Sequence, residues 1–184
     1  MNLEEKQLDT ELKFKGRIIT VKNDHVLLPD GEVAQREYIE HPGGVCVVAL
    51  TDDMQVLTVK QYRYPYSEIV EEIPAGKRES KEEDPLSCGK RELKEETGAE
   101  ARHYRFLGEL YPTPGYCGEI IYMYAAWGLT FGESATDEDE FLTSQKVPLD
   151  IMCDKIMNGE IKDSKTQAAV LKLKMLVDRG EIKL

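Results

Sequence analysis

Hydrophobic and polar positions along this chain follow the period of strands in the first third and of helices in the last. Residues 17–28 (RIITVKNDHVLL) and 32–41 (EVAQREYIEH) are strand-like around Pro29-Asp30-Gly31, a composition that predicts a hairpin. GVCVVAL (44–50) and VLTVKQY (56–62) are apolar, β-branched runs around Thr51-Asp52-Asp53, and predict a second hairpin nearer the core, completing a mixed sheet. A helix is predicted over about 83–97, because Asp84 suits the N-cap, Pro85 the first helical position and Gly98 the left-handed residue after the end. Strands follow near 103–111 and 119–129. Two helices close the chain at about 148–158 and 164–178. In the last, Ser164 and Gln167 suit a capping box, and Ala169, Val170, Leu173, Leu176 and Val177 form one apolar stripe. Strands and helices in this order predict an α/β or α+β sandwich.

Nothing in the composition marks a domain boundary, and 184 residues with 41% hydrophobic content support one sizeable core. The expectation is a single domain over 1–184, with N-terminal strands to about residue 41 and a core from about 42. The formal net charge of −11 opposes nonspecific binding to nucleic acid or anionic lipid, so neither is an expected partner. No signal peptide and no stretch of membrane-spanning length is legible, which leads to a cytoplasmic expectation. Cys46, Cys88, Cys117 and Cys153 lie far apart with no C-x-x-C pair, against a disulfide framework or a zinc knuckle.

The candidate chemistry sits in the first helix. RELKEETG (91–98) places Glu92, Glu95 and Glu96 at i, i+3 and i+4, on one face, where like charges repel by a few tenths of a kcal/mol per pair, roughly. Lys90, Arg91 and Lys94 interleave with them, so a solvated charged face is one explanation. The other is a site for a hard divalent cation, since Mg²⁺ prefers carboxylate oxygens and keeps open positions for substrate phosphates.

The surrounding residues bear on that choice. Gly76, Glu83 and Arg91-Glu92-Leu93-Lys94-Glu95-Glu96-Thr97-Gly98-Ala99 resemble the Nudix box: a Gly, five residues, a Glu, seven residues, then R-E-aliphatic-x-E-E-x-G-aliphatic. Seven residues separate Glu83 from Arg91, as in the pattern. Six rather than five separate Gly76 from Glu83, an insertion expected in the loop, where added length is tolerated. Gly89 inside the helix and Ala99 in place of a larger aliphatic are further departures. The resemblance implies Glu92 and Glu96 as principal metal ligands, Glu95 sharing a second metal, the Ala75 carbonyl completing a shell, and Arg91 pairing with Glu83.

QREYIEHPGGVCVVAL (35–50), KQYRYP (60–65), EEIPAGK (71–77), YPTPGYCGE (111–119), DEDEF (137–141) and IKDSKTQAAV (161–170) are similar to the ADP-ribose pyrophosphatase branch of the same superfamily. Its most discriminating stretch runs from Pro114-Gly115-Tyr116 to Glu119. By this resemblance Arg63 grips phosphate, Arg36 reaches substrate, from the same or a partner subunit, and Glu119 contacts the ribose or a metal-bound water. Tyr62, Tyr64 and Tyr116 are each candidates to stack on adenine. The general base comes from the acidic loop GESATDEDEF (132–141), where Glu138 and Glu140 are the candidates and Glu138 is slightly favoured. His25, His41 and His103 are expected to be structural. The implied protein is a Nudix-type α/β/α sandwich, a homodimer with its N-terminal antiparallel strands in the interface. It would hydrolyse ADP-ribose to AMP and ribose 5-phosphate with Mg²⁺, Mn²⁺ being an alternative. A hydrolase of a GDP- or UDP-sugar and a non-catalytic ADP-ribose-binding module are the other readings.

Overall fold

The computed structural model describes residues 2–133 and 141–184. Two sheets organise them. β1 (Lys6–Lys15), β2 (Thr20–Leu27) and β3 (Val33–Glu40) form a three-stranded antiparallel sheet in that order. The β2–β3 hairpin turns where Pro29-Asp30-Gly31 predicts. Within the expected N-terminal strands β1 was not placed individually, because half of KQLDTELKFK is charged and every one of its residues is exposed.

The second sheet has seven strands. Its central strand β4 (Gly44–Leu50) is buried at every position, as expected of a strand covered on both faces. β4 pairs in parallel with β9 (Ile121–Phe131), which pairs antiparallel with β8 (Ala99–Leu110). The expected hairpin between 44–50 and 56–62 needs correction. β4 and β5 (Gln55–Arg63) share only the Leu50–Val56 pair before they splay. β5 then pairs with β10 (Leu142–Pro148) on one side and β6 (Glu68–Glu72) on the other, while β7 (Ala75–Lys77) takes the edge of β4 that β5 leaves open.

Side chains of β4 alternate between two cores, as the period of a strand requires. Cys46, Val48 and Leu50 face a cluster containing Met152, Ile156, Ala169, Val170 and Leu173, from α2 (Leu149–Met157) and α3 (Ser164–Asp178). Val47 and Ala49 face Leu93 of α1 (Pro85–Thr97). This is the expected α/β/α sandwich with a mixed sheet. The end signals of α1 act as predicted: the Asp84 carboxylate accepts the Ser87 N–H, and Gly98 takes a left-handed φ of 68°. Gly89 also finds its reason, because a Cβ there would lie 3.0 Å from Val45 and 3.1 Å from Val47, so its lack of a side chain lets α1 lie close on β4. α3 is capped by Asp163, not by the Ser164–Gln167 box. Asp163 accepts from Thr166 N, while Gln167 turns to the Ile161 carbonyl. Among the described residues no helix is long and apolar enough to cross a membrane.

The two sheets are stitched beside the candidate site. The Ile39 N–H donates to the Tyr116 carbonyl and the Gly118 N–H to the Ile39 carbonyl, and Glu40 accepts from Lys81. The turn holding Pro114 is thereby pinned against β3.

Candidate active site

α1 and the short strand β7 build the centre of the site. β7 carries Ala75 and Gly76 past the carboxylate face of α1, so closely that a Cβ on Gly76 would lie 1.9 Å from the Glu92 carboxyl carbon. A larger residue there would force the Glu92 carboxylate to move. The Ala75 N–H donates to Glu96 at 3.1 Å. Glu92 and Glu96 are 8% and 5% exposed, rare for glutamates, whose charges resist burial unless they are paired. Ala75 thus meets Glu96 through its N–H, and its carbonyl as a ligand rests on the resemblance alone.

Arg91 holds the cluster together. Its guanidinium lies 2.7 Å from Glu92, 3.2 Å from Glu95 and 3.6 Å from Glu83. Burial disfavours its charge, but Glu92 and the other acidic neighbours outweigh burial and push its pKa upward, so Arg91 stays a cation. Glu83 also accepts the Glu79 N–H at 2.6 Å. The carboxylate expected at the start of the pattern therefore occupies its place despite the inserted residue.

The reason is Arg78, which sequence reasoning passed over. It is 6% exposed, and its guanidinium donates to the carbonyls of Pro42, Lys81 and Glu83 while lying 5.2 Å from the Tyr122 ring centroid. The longer loop wraps around this one side chain. Buried loop carbonyls need donors, and a guanidinium supplies several in one plane. Cys88, beneath Arg91, is pushed up to about 12, first by burial, so it is a neutral thiol here.

Arg63 ends β5 and makes a bidentate pair with Glu72, Nε–Oε1 at 2.6 Å and Nη2–Oε2 at 2.7 Å. Its side chain is 39% exposed against 3% for Glu72, so the guanidinium is anchored from below and open above, with only part of its donor fork used among the described residues. Glu72, its anchor, lies three residues before Ala75, whose N–H meets Glu96, so one short segment links Arg63 to the carboxylate cluster. Glu72 also accepts from Lys165 of α3. Burial pushes the Glu72 carboxyl upward, but Arg63 and Lys165 outweigh it and the net shift is downward.

Glu119 approaches from the third side. A Cβ on Gly44 would stand 3.6 Å from Glu119 and 3.1 Å from the Gly76 carbonyl, so Glu119 borders β7. His41 Nδ1 lies 3.6 Å from Glu119 and accepts the Gly43 N–H. His41 thus borders Glu119 while it holds a backbone N–H, His25 pairs with Asp9 and His103 stacks on Trp127. Pro114 is exposed in the neighbouring turn. Arg36 is engaged elsewhere, donating to both oxygens of Glu5 at 2.9 and 2.6 Å on the outlying sheet. Tyr62, Tyr64 and Tyr116 are all exposed, Tyr64 most, and nothing in their packing separates them. Glu138 and Glu140 lie outside the described residues.

Whether these residues suit a divalent cation is a question of chemistry and convergence. The donors are hard carboxylate oxygens, as Mg²⁺ prefers. Among the described residues, no three acidic, His or Cys side chains converge on one point. Mg²⁺ does not require that, because it commonly takes one or two protein carboxylates and completes its shell with water and phosphate. Glu92 and Glu96, one turn apart beside a glycine that leaves them room, meet that lesser demand.

Comparison with known proteins agrees with this geometry. The family model of the NUDIX domain matches residues 40–167, and that of the nucleoside diphosphate sugar hydrolase N-terminal domain matches residues 5–39. The chain is 42% identical over 174 residues to a methanol dehydrogenase activator of Bacillus methanolicus, covering 94% of each chain. It is 38% identical over 176 residues to an ADP-ribose pyrophosphatase of Bacillus subtilis (strain 168), covering 95% of each. To an ADP-ribose pyrophosphatase of Mycobacterium tuberculosis it is 32% identical, over 89% of this chain and 80% of that one. A solved structure of an ADP compounds hydrolase superposes with a TM-score of 0.83, covering 99% of this chain and 100% of that one, at 22% identity.

Proposed function

From the premise that this chain belongs to the Nudix hydrolase superfamily, on its ADP-ribose pyrophosphatase branch, we propose that it hydrolyses ADP-ribose to AMP and ribose 5-phosphate. The observation that carries the proposal is the meeting of α1 and β7. Two buried glutamates, Glu92 and Glu96, face the Ala75–Gly76 backbone, which approaches them closely because residue 76 has no side chain, and the same segment begins at Glu72, the anchor of Arg63.

In this account Glu92 and Glu96 would hold Mg²⁺, Glu95 would share a second metal and the Ala75 carbonyl would complete a shell; Mn²⁺ would suit the same donors. The cation, when bound, offsets the charge of the bridging phosphates and polarises the attacked phosphorus. The remaining work belongs to the chain. Arg63, held by Glu72, aligns phosphate oxygens through the free part of its fork. Arg91 keeps the carboxylates from repelling one another and fixes Glu83 at the loop. Glu119 orients the ribose, and Pro114 shapes the turn beside it. Arg36 would reach substrate from the N-terminal sheet by exchanging its Glu5 carboxylate for phosphate. Glu138 or Glu140 takes the proton of the attacking water as its oxygen bonds to phosphorus and the bridging P–O bond breaks.

The chain acts as a homodimer in this proposal. Leu8, Leu12, Phe14, Ile18 and Val33 are all more than half exposed in the single chain and belong to or border the N-terminal sheet, an apolar surface that association would cover. Chromatography with light scattering tests this, and a monomer at micromolar concentration would contradict it.

Substrate identity is tested by product analysis with ADP-ribose, a GDP-sugar and a UDP-sugar. Release of AMP from ADP-ribose with little cleavage of the others is expected, and preference for another sugar would move the assignment within the same chemistry. A second reading draws on the 42% identity to the methanol dehydrogenase activator: that the chain also raises the activity of an alcohol dehydrogenase. The rate of a methanol dehydrogenase with and without the chain tests it directly.

A further inference from the structure

Lys165 lies 93 residues from Glu72 in sequence, yet its Nζ donates to the Glu72 carboxylate. It also donates to Asp163 at 3.0 Å, and the residue is only 8% exposed. A buried lysine costs stability unless its charge is matched. The match is close: Lys165 and Arg63 carry two positive charges against the two negative charges of Glu72 and Asp163. The four form a line running from the start of α3 to the end of β5.

Asp163 fixes the far end of that line. As N-cap of α3 it accepts from the Thr166 N–H at 2.9 Å and from the Thr166 hydroxyl at 2.5 Å. The Thr166 oxygen accepts in turn from the Ile73 N–H at 2.9 Å. Ile73 lies between Glu72, which grips Arg63, and Ala75, whose N–H meets Glu96. The start of α3 is therefore tied to the segment 72–75 twice, once through charge and once through a hydroxyl. Both ties are buried and neither reaches the substrate face directly.

We propose that Lys165 is a positioning residue for the phosphate-binding arginine: it holds the Glu72 carboxylate so that Arg63 is anchored in one orientation with the rest of its fork free. The local charge supports this. With Lys165 present the line is neutral, and Arg63 can offer attraction to an anion. Without it the line carries a net negative charge directly behind Arg63, and Glu72 loses one of its two cationic partners. It then draws the guanidinium inward and down from the ligand. Binding suffers first, because the groups that act on the attacked phosphorus lie on α1, whereas Lys165 donates to Glu72 and Asp163.

The inference rests on Arg63 meeting phosphate, as in the proposed function, so its test has an arm that needs no substrate. The side-chain Nε–H resonance of Arg63 is followed by NMR in the full chain, assigned by its loss in Arg63→Lys. A slowly exchanging signal is expected in the native chain and in Lys165→Arg, and a broadened or fast-exchanging one in Lys165→Met. An unchanged signal in Lys165→Met, in protein that melts as a folded chain, would overturn the positioning role. The second arm is a double-mutant cycle on ADP-ribose hydrolysis. Lys165→Met is expected to raise KM about tenfold with kcat changed less than threefold, roughly, and to add little in an Arg63→Ala background. Full additivity of the two substitutions would overturn the coupling. Failure of the native chain to cleave any nucleoside diphosphate sugar would count against the substrate assignment, while the NMR arm would still decide for or against Lys165.

Discussion

Gly76 and the two glutamates it faces give the sharpest tests at the scale of single residues. Gly76→Ala would put a methyl group inside the present position of the Glu92 carboxylate, so the carboxylate must move by an ångström or more. A displacement of that size costs about 100-fold in rate when it falls on catalytic geometry. We expect such a loss in kcat with a melting temperature close to native, and an unaltered kcat would remove Glu92 from the mechanism. Glu96→Gln keeps the shape and an oxygen for the Ala75 N–H while deleting the charge, and is expected to lower kcat by about 10²–10³-fold, the worth of a few kcal/mol of lost metal stabilisation. These carboxylates were legible in the sequence because helical spacing alone puts residues 92, 95 and 96 on one face. Glu72, Lys165 and Arg78 were not. Their partners are brought together by the fold, carbonyls for Arg78, carboxylates for Lys165 and two cations for Glu72, and no local period connects Lys165 with a strand 93 residues earlier.

Among the elements, the helix caps make a paired prediction. Asp84 and Asp163 both cap a helix, but Asp84 stands at the surface with a partner in Ser87, whereas Asp163 also holds Lys165 and Thr166. Asp84→Ala should cost about 1 kcal/mol, the usual worth of an N-cap. Asp163→Ala should cost about 2 kcal/mol or more, since it leaves a buried lysine short of one acceptor. Urea titration of both variants checks the order, and equal costs would mean that the buried tie contributes nothing. The ends of α1 were readable because Asp84, Pro85 and Gly98 each act on the backbone within one turn. β6, β7 and β10 were not readable. β7 has only three residues, and β10 carries Thr143, Ser144, Gln145 and Lys146 along an edge where few side chains need to be apolar. The β4–β5 hairpin misled for a related reason: two apolar runs around a turn look like neighbours, yet here they part after one pair, β7 pairing with β4 and β6 with β5 on the edges so opened.

At the scale of the whole molecule, charge and association set the conditions under which the fold persists. Glu72 has a folded pKa below the ordinary carboxylate value of 4.5, since Arg63 and Lys165 outweigh the burial that would raise it. Glu40 is lowered to about 2 by Lys22 and Lys81, where it joins the N-terminal sheet to the loop. A lowered folded pKa gives stability that is present above the unfolded value and lost as pH falls through the folded one. Thermal stability is therefore expected to hold from neutral pH to about 4.5 and to decline below it, with Lys165→Met showing a smaller acid-dependent loss from a lower starting point. Melting curves across that range check this, and a decline beginning near pH 6 would point to other groups. If the N-terminal sheet is the subunit interface, Leu12→Asp should shift the chain toward monomer and make its melting temperature less dependent on concentration, which light scattering and dilution melts would read. The central claim is that α1 and β7 form a divalent-cation site that cleaves the pyrophosphate bridge of ADP-ribose. Its most direct test is analysis of the products from ADP-ribose with Mg²⁺, with EDTA, and with Glu96→Gln in place of the native chain. The account predicts AMP and ribose 5-phosphate with Mg²⁺ alone; cleavage that persists in EDTA or survives the substitution, or no cleavage by the folded native chain, would contradict it.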